Sequence, residues 1–173
     1  DIFSWNILLA KYGINLSKLR KNFIQEINIQ LTDTYRSIAK NEDQVEINYT
    51  SEVESFTESD YLKQLETNYE KDHILGHTSF GVHHDDYLFL FNHKIANGSA
   101  SRGETRSIIL ALKFIEADLI YQKLHLKPIV LLDDVFSELD EMRQKHLVEN
   151  FKDYQMIITS TNIPANMTVS KSL

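Results

Sequence analysis

Cysteine is absent from the 173 residues. That removes disulfides, thiolate metal sites and a thiol nucleophile, and it suits a cytoplasmic protein. No run of about eighteen apolar residues occurs, so no helical membrane span is predicted. No signal segment is visible either. Positive charge is in short supply: 18 Lys and Arg against 25 Asp and Glu leave a net charge of −7. This argues against a broadly basic surface, although a local Lys and Arg cluster would still serve nucleic acid. Glycine is scarce, with five in all, and none opens a phosphate-binding loop. The nearest approach is Gly98 to Thr105, G-S-A-S-R-G-E-T. It fits G-x-x-x-x-G-K-[ST] except that Glu104 stands where lysine should be. A carboxylate there repels the phosphates that lysine attracts, so the stretch is rejected as a P-loop.

What remains is the composition of a globular domain long enough to bury a core. The first residue is Asp1 and a helical pattern is already running there, so the sequence reads as a piece of a longer protein. Apolar residues recur at helical spacing through residue 40: Ile2, Trp5, Leu8, Leu9, Tyr12, Leu16, Leu19, Phe23, Ile27, Leu31, Tyr35 and Ile38. Gly13 is expected to bend this helix. So long a stripe needs a partner, since an isolated amphipathic helix is marginal in water. Packing within its own fold is the simpler reading, and an intermolecular coiled coil is the alternative.

Gln44 to Thr50 alternates apolar and polar residues and predicts a strand, followed by a helix over Ser59 to Asp72. Tyr87 to Phe91 predicts another strand and N-H-K a hairpin. N-G-S-A-S-R-G is a loop. Glu104 to Leu124, with Ile108, Ile109, Leu112, Ile115, Leu119 and Ile120, predicts a buried helix. Pro128 precedes the strand Ile129 to Leu132, a helix covers Asp140 to Phe151, and Gln155 to Thr159 is a further strand. The last residues read as a frayed tail. Helix, strand, helix, strand from Glu104 onward is the signature of a parallel α/β sheet. Both of its strands are continuously apolar, as strands buried on two faces are.

The strand Ile129 to Leu132 runs into Asp133 and Asp134. Ligands bind at the carboxyl ends of strands in open α/β sheets, and an apolar strand ending in an acid is the Walker B arrangement. There the first acid supports Mg²⁺, a hard cation that takes oxygen ligands, and the second orients or deprotonates the attacking water. The metal's charge offsets the repulsion between the carboxylates. A polar strand end with two solvated aspartates is the plain alternative, and these residues alone do not choose. Ser101 with Glu104 forms an S-x-x-E capping box, and Ser137 with Asp140 is similar. Capping does not explain Gly103, since glycine in a first helical turn is costly unless a backbone must approach something closely. Serine, glycine and free amides at a helix start also make an anion site.

With these motifs in place the chain resembles a known family. "SRGETRSIILALKFIEADLI", "PIVLLDDVFSELDEMRQKHL" and "ITSTN" are similar to the C-terminal half of RecF, an ATPase of bacterial DNA recombination and repair in the ABC class that includes SMC proteins. The likeness is most specific over residues 76–162. "WNILLAKYGINLSKLRKNFIQEIN" also resembles that family's helical lobe. The resemblance implies an α/β ABC-type ATPase half-lobe with a helical subdomain. It divides the chain into a helical lobe with a short strand, 1–75, and the C-terminal part of the ATPase domain, 76–173. In the family the P-loop lies in the N-terminal half, which would leave this chain inactive by itself.

The resemblance further implies roles for particular residues. Ser101, Arg102, Gly103 and Glu104 match the ABC signature, whose serine and glycine touch the γ-phosphate bound by a partner subunit. Asp133 matches the Mg²⁺-supporting acid and Asp134 the catalytic carboxylate. Ser137, Glu138, Leu139 and Asp140 match the D-loop, which crosses the dimer interface. Thr159, Ser160 and Thr161 occupy the switch loop, where many ABC proteins carry a histidine that is missing here. Gly81 to Asp86, "GVHHDD", matches a stretch that usually has proline and arginine where Val82 and His84 stand. The implied cofactors are ATP and Mg²⁺. The implied partners are DNA, a second copy joined through ATP, RecR and RecO, in recombinational gap repair.

Two rivals come from other chemistries. His83, His84, Asp85 and Asp86 are ligand types of metal phosphohydrolases, but neighbours on a strand point to opposite faces and no third ligand is evident. A non-hydrolysing ABC-like interaction module is the other, and the signature with both acids argues against it.

Overall fold

The computed structural model describes residues 2–161, the side chains of Ser137 and Glu138 excepted. The expected tail, the last residue of "ITSTN" and Asp1 lie outside the described residues. Helix α1, Ile2–Ala39, runs unbroken through Gly13. Strand β1, Val45–Thr50, follows, then α2, Glu58–Thr67, and α3, Tyr69–Leu75. A 3₁₀ turn at Val82–His84 leads into β2, Asp86–Phe91, and β3, Lys94–Ile95. One irregular turn, α4, Ala96–Ser99, precedes the long α5, Arg102–Leu124. Then come β4, Ile129–Asp133, a 3₁₀ turn at Val135–Glu138, α6, Glu141–Asn150, and β5, Gln155–Thr159. The fold is α/β: an antiparallel-edged sheet ordered β1-β2-β3 and a parallel pair β4-β5.

Two compact units interleave along the chain. One comprises Asp1–Glu26 and Ile47–Leu88, the other Ile27–Glu46 and Phe89–Leu173. The expected signature, Walker B, D-loop and switch-loop positions, residues 101–104, Asp133 and Asp134, 137–140 and 159–161, all fall in the second.

In the first unit the core is Ala10, Ile14, Val53, Tyr61, Leu65 and Phe80. The face of α1 that enters it is therefore the small-residue face, Ala10, Gly13, Ile14 and Ser17, spaced one helical turn apart. Gly13 is required there: a methyl group at that position would stand 2.9 Å from the Tyr61 ring. The bulky stripe does not behave as expected. Ile2, Trp5, Leu8, Leu9, Tyr12, Leu16, Leu19 and Phe23 are all exposed, Trp5 at 66%. Close helix packing on a large aromatic ring selects small side chains, so the first half of α1 buries the face with less hydrophobic bulk.

The second half of α1 follows the expected stripe: Ile27, Leu31, Tyr35 and Ile38 are buried. Tyr35 meets Phe91 edge-on with ring centroids 6.0 Å apart, a geometry that the ring quadrupoles favour. Ser37 donates to Asn150 of α6 at 3.0 Å. Phe114 of α5 packs edge-on against Phe151 and Tyr154. Leu147 and Phe151 are fully enclosed. Each such side chain contributes about 1.5–3 kcal/mol by leaving water.

Three expectations change. The single helix over Ser59 to Asp72 is two, because Asn68 ends α2 by donating to Gln64 and also heads α3. Helix α5 is buried on one face only, with Ile109 and Ile120 exposed. The strands β4 and β5 are not buried on both faces either: Leu132 is 7% exposed, but Leu131 is 71% exposed and Ile129 and Ile157 are open as well. A parallel pair has two faces and two edges, and among the described residues only one face is covered. The hairpin is as expected, with Asn92 and His93 both at positive φ, the two-residue turn whose twist matches the flanking strands.

Candidate functional site

Strand β4 pairs with β5 in parallel register, which sets Asp133 opposite Thr159. The pairing brings the expected Walker B acids and the start of the expected switch loop together. Thr159 Oγ1 donates a short hydrogen bond to Asp133 Oδ1. The backbone N–H of Asp134 donates to Thr159 Oγ1 at 3.0 Å and to its carbonyl at 3.1 Å. One threonine thus links both aspartates. The twenty-six positions between them hide this link from the sequence, and only the strand pairing reveals it. Both carboxylates belong to exposed residues at the strand's carboxyl end.

Asp134 sits in the left-handed region at φ 45°, ψ 32°. That conformation costs a residue with a β-carbon about 1 kcal/mol or more, although aspartate tolerates it better than most. The sharp turn takes Asp134 out of the regular alternation of β4. Two carboxylates and a hydroxyl are hard oxygen donors and fit a Mg²⁺ site of the type completed by water and phosphate oxygens. No group of three or more His, Cys, Asp or Glu placed for a metal occurs among the described residues, and a Mg²⁺–nucleotide site does not require one.

Ser101 heads α5 in the β region. Its side chain accepts from Glu104 N at 3.3 Å, and its own N–H donates to the Glu104 carboxylate at 2.6 Å. The capping box is therefore real, and Glu104 is engaged in it. A cap and an anion contact are compatible, since Ser101 is an exposed residue. Gly103 is in the first turn, and a methyl group there would stand 2.5 Å from Arg143 Nη1. The missing side chain is filled by a guanidinium from α6. Ser107 Oγ donates to the Gly103 carbonyl at 2.9 Å and is buried.

The expected D-loop, Ser137 to Asp140, overlaps the end of the 3₁₀ turn Val135–Glu138 and runs to the cap of α6. Gln144 Nε2 donates to the carbonyls of Phe136 at 3.0 Å and Leu139 at 2.9 Å. Val135, Phe136 and Leu139 are buried. The cap of α6 is Asp140, accepting from Arg143 N at 2.8 Å. The Ser137 and Glu138 side chains lie outside the described residues. Nothing in the sequence marks Gln144 and Arg143, because a polar residue in a first helical turn ordinarily signals nothing.

The "GVHHDD" stretch has a different job from metal binding. His83 and His84 lie in the 3₁₀ turn rather than on a strand. The Asp85 side chain is 1% exposed and pairs with Arg20 Nη1 at 2.9 Å. It also accepts a short hydrogen bond from the Tyr49 hydroxyl. Arg20 donates in addition to the Val82 carbonyl at 2.6 Å. The Arg20 guanidinium is raised above its usual range: burial opposes the charge, but the bonds to Asp85 and Tyr49 outweigh it. The Tyr49 hydroxyl is raised by burial first and by Asp85 next. A carboxylate so engaged is a structural partner, and His83 spends Nε2 on the Thr78 carbonyl at 2.9 Å.

No family model matches the chain. It is 33% identical over 165 residues to the DNA replication and repair protein RecF of Ruminiclostridium cellulolyticum, covering 91% of this chain and 44% of that one. It is 36% identical over 157 residues to RecF of Clostridium kluyveri, covering 90% of the chain and 43% of the relative. A solved structure of the recombination mediator protein RecF-ATP in the RecFOR pathway matches with a TM-score of 0.77 at 24% identity, over 96% of this chain and 46% of that one. A second, of RecF-ATPrS, matches with a TM-score of 0.75 at 25% identity, over 93% and 45%. The chain thus spans less than half the length of the relatives it matches.

Proposed function

We infer that this chain, related in sequence and fold to RecF proteins over nine-tenths of its length, carries the Walker B, signature and D-loop side of an ATP-dependent DNA replication and repair protein. The observation that carries the reading is the link from Thr159 to Asp133 and Asp134 at the carboxyl ends of the parallel strands. A strand that delivers two acids to the carboxyl edge of a parallel pair, with a hydroxyl from the neighbouring strand holding the first in place, suits a nucleotide site better than a solvated strand end does.

In this reading Asp133 and Thr159 would hold Mg²⁺, whose charge would be supplied to the nucleotide phosphates when bound. Asp134, turned aside by its left-handed backbone, would accept the proton of the attacking water. Ser101 and Gly103 would offer a hydroxyl and free amides to the γ-phosphate of ATP held by a second copy, reinforced by the partial positive charge of the α5 N-terminus. The phosphate cradle would be supplied outside this chain. The ATP-joined dimer would act on DNA in recombinational gap repair, with RecR and RecO as partners. None of those surfaces is legible in the residues described, and the net charge of −7 argues against a broadly basic DNA-binding face on this chain.

Ser101 provides the test. In the complete protein, Ser101→Arg is expected to leave ATP binding by the monomer intact and to abolish ATP-driven dimerisation, because a bulky cation replaces a small donor. A residue that only capped α5 would instead cost about 1 kcal/mol of stability and leave dimerisation unchanged. Sedimentation with ATP beside a thermal melt separates the outcomes. An early-melting variant that still dimerises would end the reading.

A further inference from the structure

We propose that Arg143 is a positioning residue that locks the D-loop end at Asp140 to the signature turn at Gly103, so that both present to a partner as one body. The inference rests on the reading of Ser101 and Gly103 given above. Three observations in the same unit support it. The guanidinium occupies the space over Gly103 that a side chain would fill, with Nη1 2.5 Å and Cζ 3.7 Å from where a methyl group would stand. Asp140 engages the same residue at two points, accepting from its backbone N–H at 2.8 Å and pairing at 3.6 Å with the same Nη1 that lies over Gly103. The backbone between β4 and α6 is itself pinned, since Gln144 spans the Phe136 and Leu139 carbonyls.

The chemistry fits a strut rather than a surface ion pair. An isolated exposed pair contributes almost nothing to stability, and Asp140 is more than half exposed. The Arg143 side chain, by contrast, is mostly covered, and the bare backbone at Gly103 leaves the space that its guanidinium occupies. A planar guanidinium lies flat on a bare backbone and still reaches a carboxylate, whereas an ammonium is a compact charge that does one or the other. Loss of Arg143 should therefore leave both motifs folded and allow them to move independently.

The test uses the complete protein with Arg143→Ala, Arg143→Lys and, as a control, Ser101→Arg. Monomer affinity for ATP, the ATP concentration that gives half-maximal dimerisation, and the thermal midpoint are measured for each. Arg143→Ala is expected to raise the half-maximal concentration about tenfold, the scale of coupling between residues in contact, with monomer affinity and thermal midpoint unchanged. Arg143→Lys should stay closer to alanine than to the parent, since charge alone does not restore the planar contact. If Ser101→Arg abolishes dimerisation while Arg143→Ala dimerises like the parent, the strut is wrong and the composite site stands. An Arg143→Ala protein that melts early and binds ATP weakly as a monomer also overturns it, because Arg143 then merely supports the fold. Ser101→Arg dimerising normally would bring down the composite site itself.

Discussion

Asp133 and Asp134 are neighbours in the chain but not equivalents. Asp133 ends a regular strand and is bonded by Thr159, while Asp134 turns out of the strand at positive φ. Their substitutions should therefore separate. Asp134→Asn in the complete protein is expected to keep ATP binding and dimerisation and to lose about two to four decades of turnover, the usual worth of a general base. Asp133→Asn should instead weaken Mg²⁺-dependent nucleotide binding. Isothermal titration beside single-turnover hydrolysis checks the pair, and equal binding loss in both would refute the division of roles. At Asp85 the expectation is one of stability. Asp85→Ala strands Arg20 and the Tyr49 hydroxyl and should cost about 3 kcal/mol in a denaturant titration. An unaltered midpoint would show that the pair supports nothing.

Among the elements, α1 and the β1–β2 region of the first unit depend on neutral tyrosines. Tyr49 and Tyr61 are held above the ordinary value of 10.0, in both cases by burial first. A raised folded value favours the protonated form. The stabilisation is therefore fully present below pH 10.0 and is lost as pH rises above it through the folded values. Melts across that range should show the first unit loosening together with the rise of tyrosinate absorbance. Tyr61→Phe should blunt the effect, since phenylalanine keeps the ring packed against Gly13 without a titrating group. A melt insensitive to pH there would contradict the burial.

At the scale of the whole molecule, apolar surface is left uncovered in both units. The outward stripe of α1 and the open face of β4–β5 each expose large side chains, beyond the scattered apolar residues of an ordinary surface. No helix among the described residues is long and apolar enough to cross a membrane. The 173-residue chain, purified alone, is expected to show no ATP turnover above background, because Glu104 stands where a P-loop needs lysine. A phosphate-release assay on the isolated chain checks this, and turnover that Asp134→Asn removes would refute it.

Much of the element order was legible because periodicity and chain punctuation are local: the strands Val45–Thr50, Asp86–Phe91, Ile129–Asp133 and Gln155–Thr159, the hairpin at Asn92, and the cap at Ser101 all rest on neighbours within a few positions. The places of Ser101, Asp133 and Thr159 at the ends of their elements were legible too, since they follow from the same local patterns. Which face of α1 is buried was not, because the sequence shows where bulk lies but not that Tyr61 would demand glycine and alanine opposite it. Nor was the uncovered face of β4–β5, since a continuous apolar strand states a need for burial and not whether a cover is present. The links from Thr159 to Asp133, Arg143 to Gly103 and Arg20 to Asp85 were decided by tertiary structure alone. They join residues distant in the chain through hydrogen bonds and space-filling, and such contacts leave no local pattern for a single sequence to display.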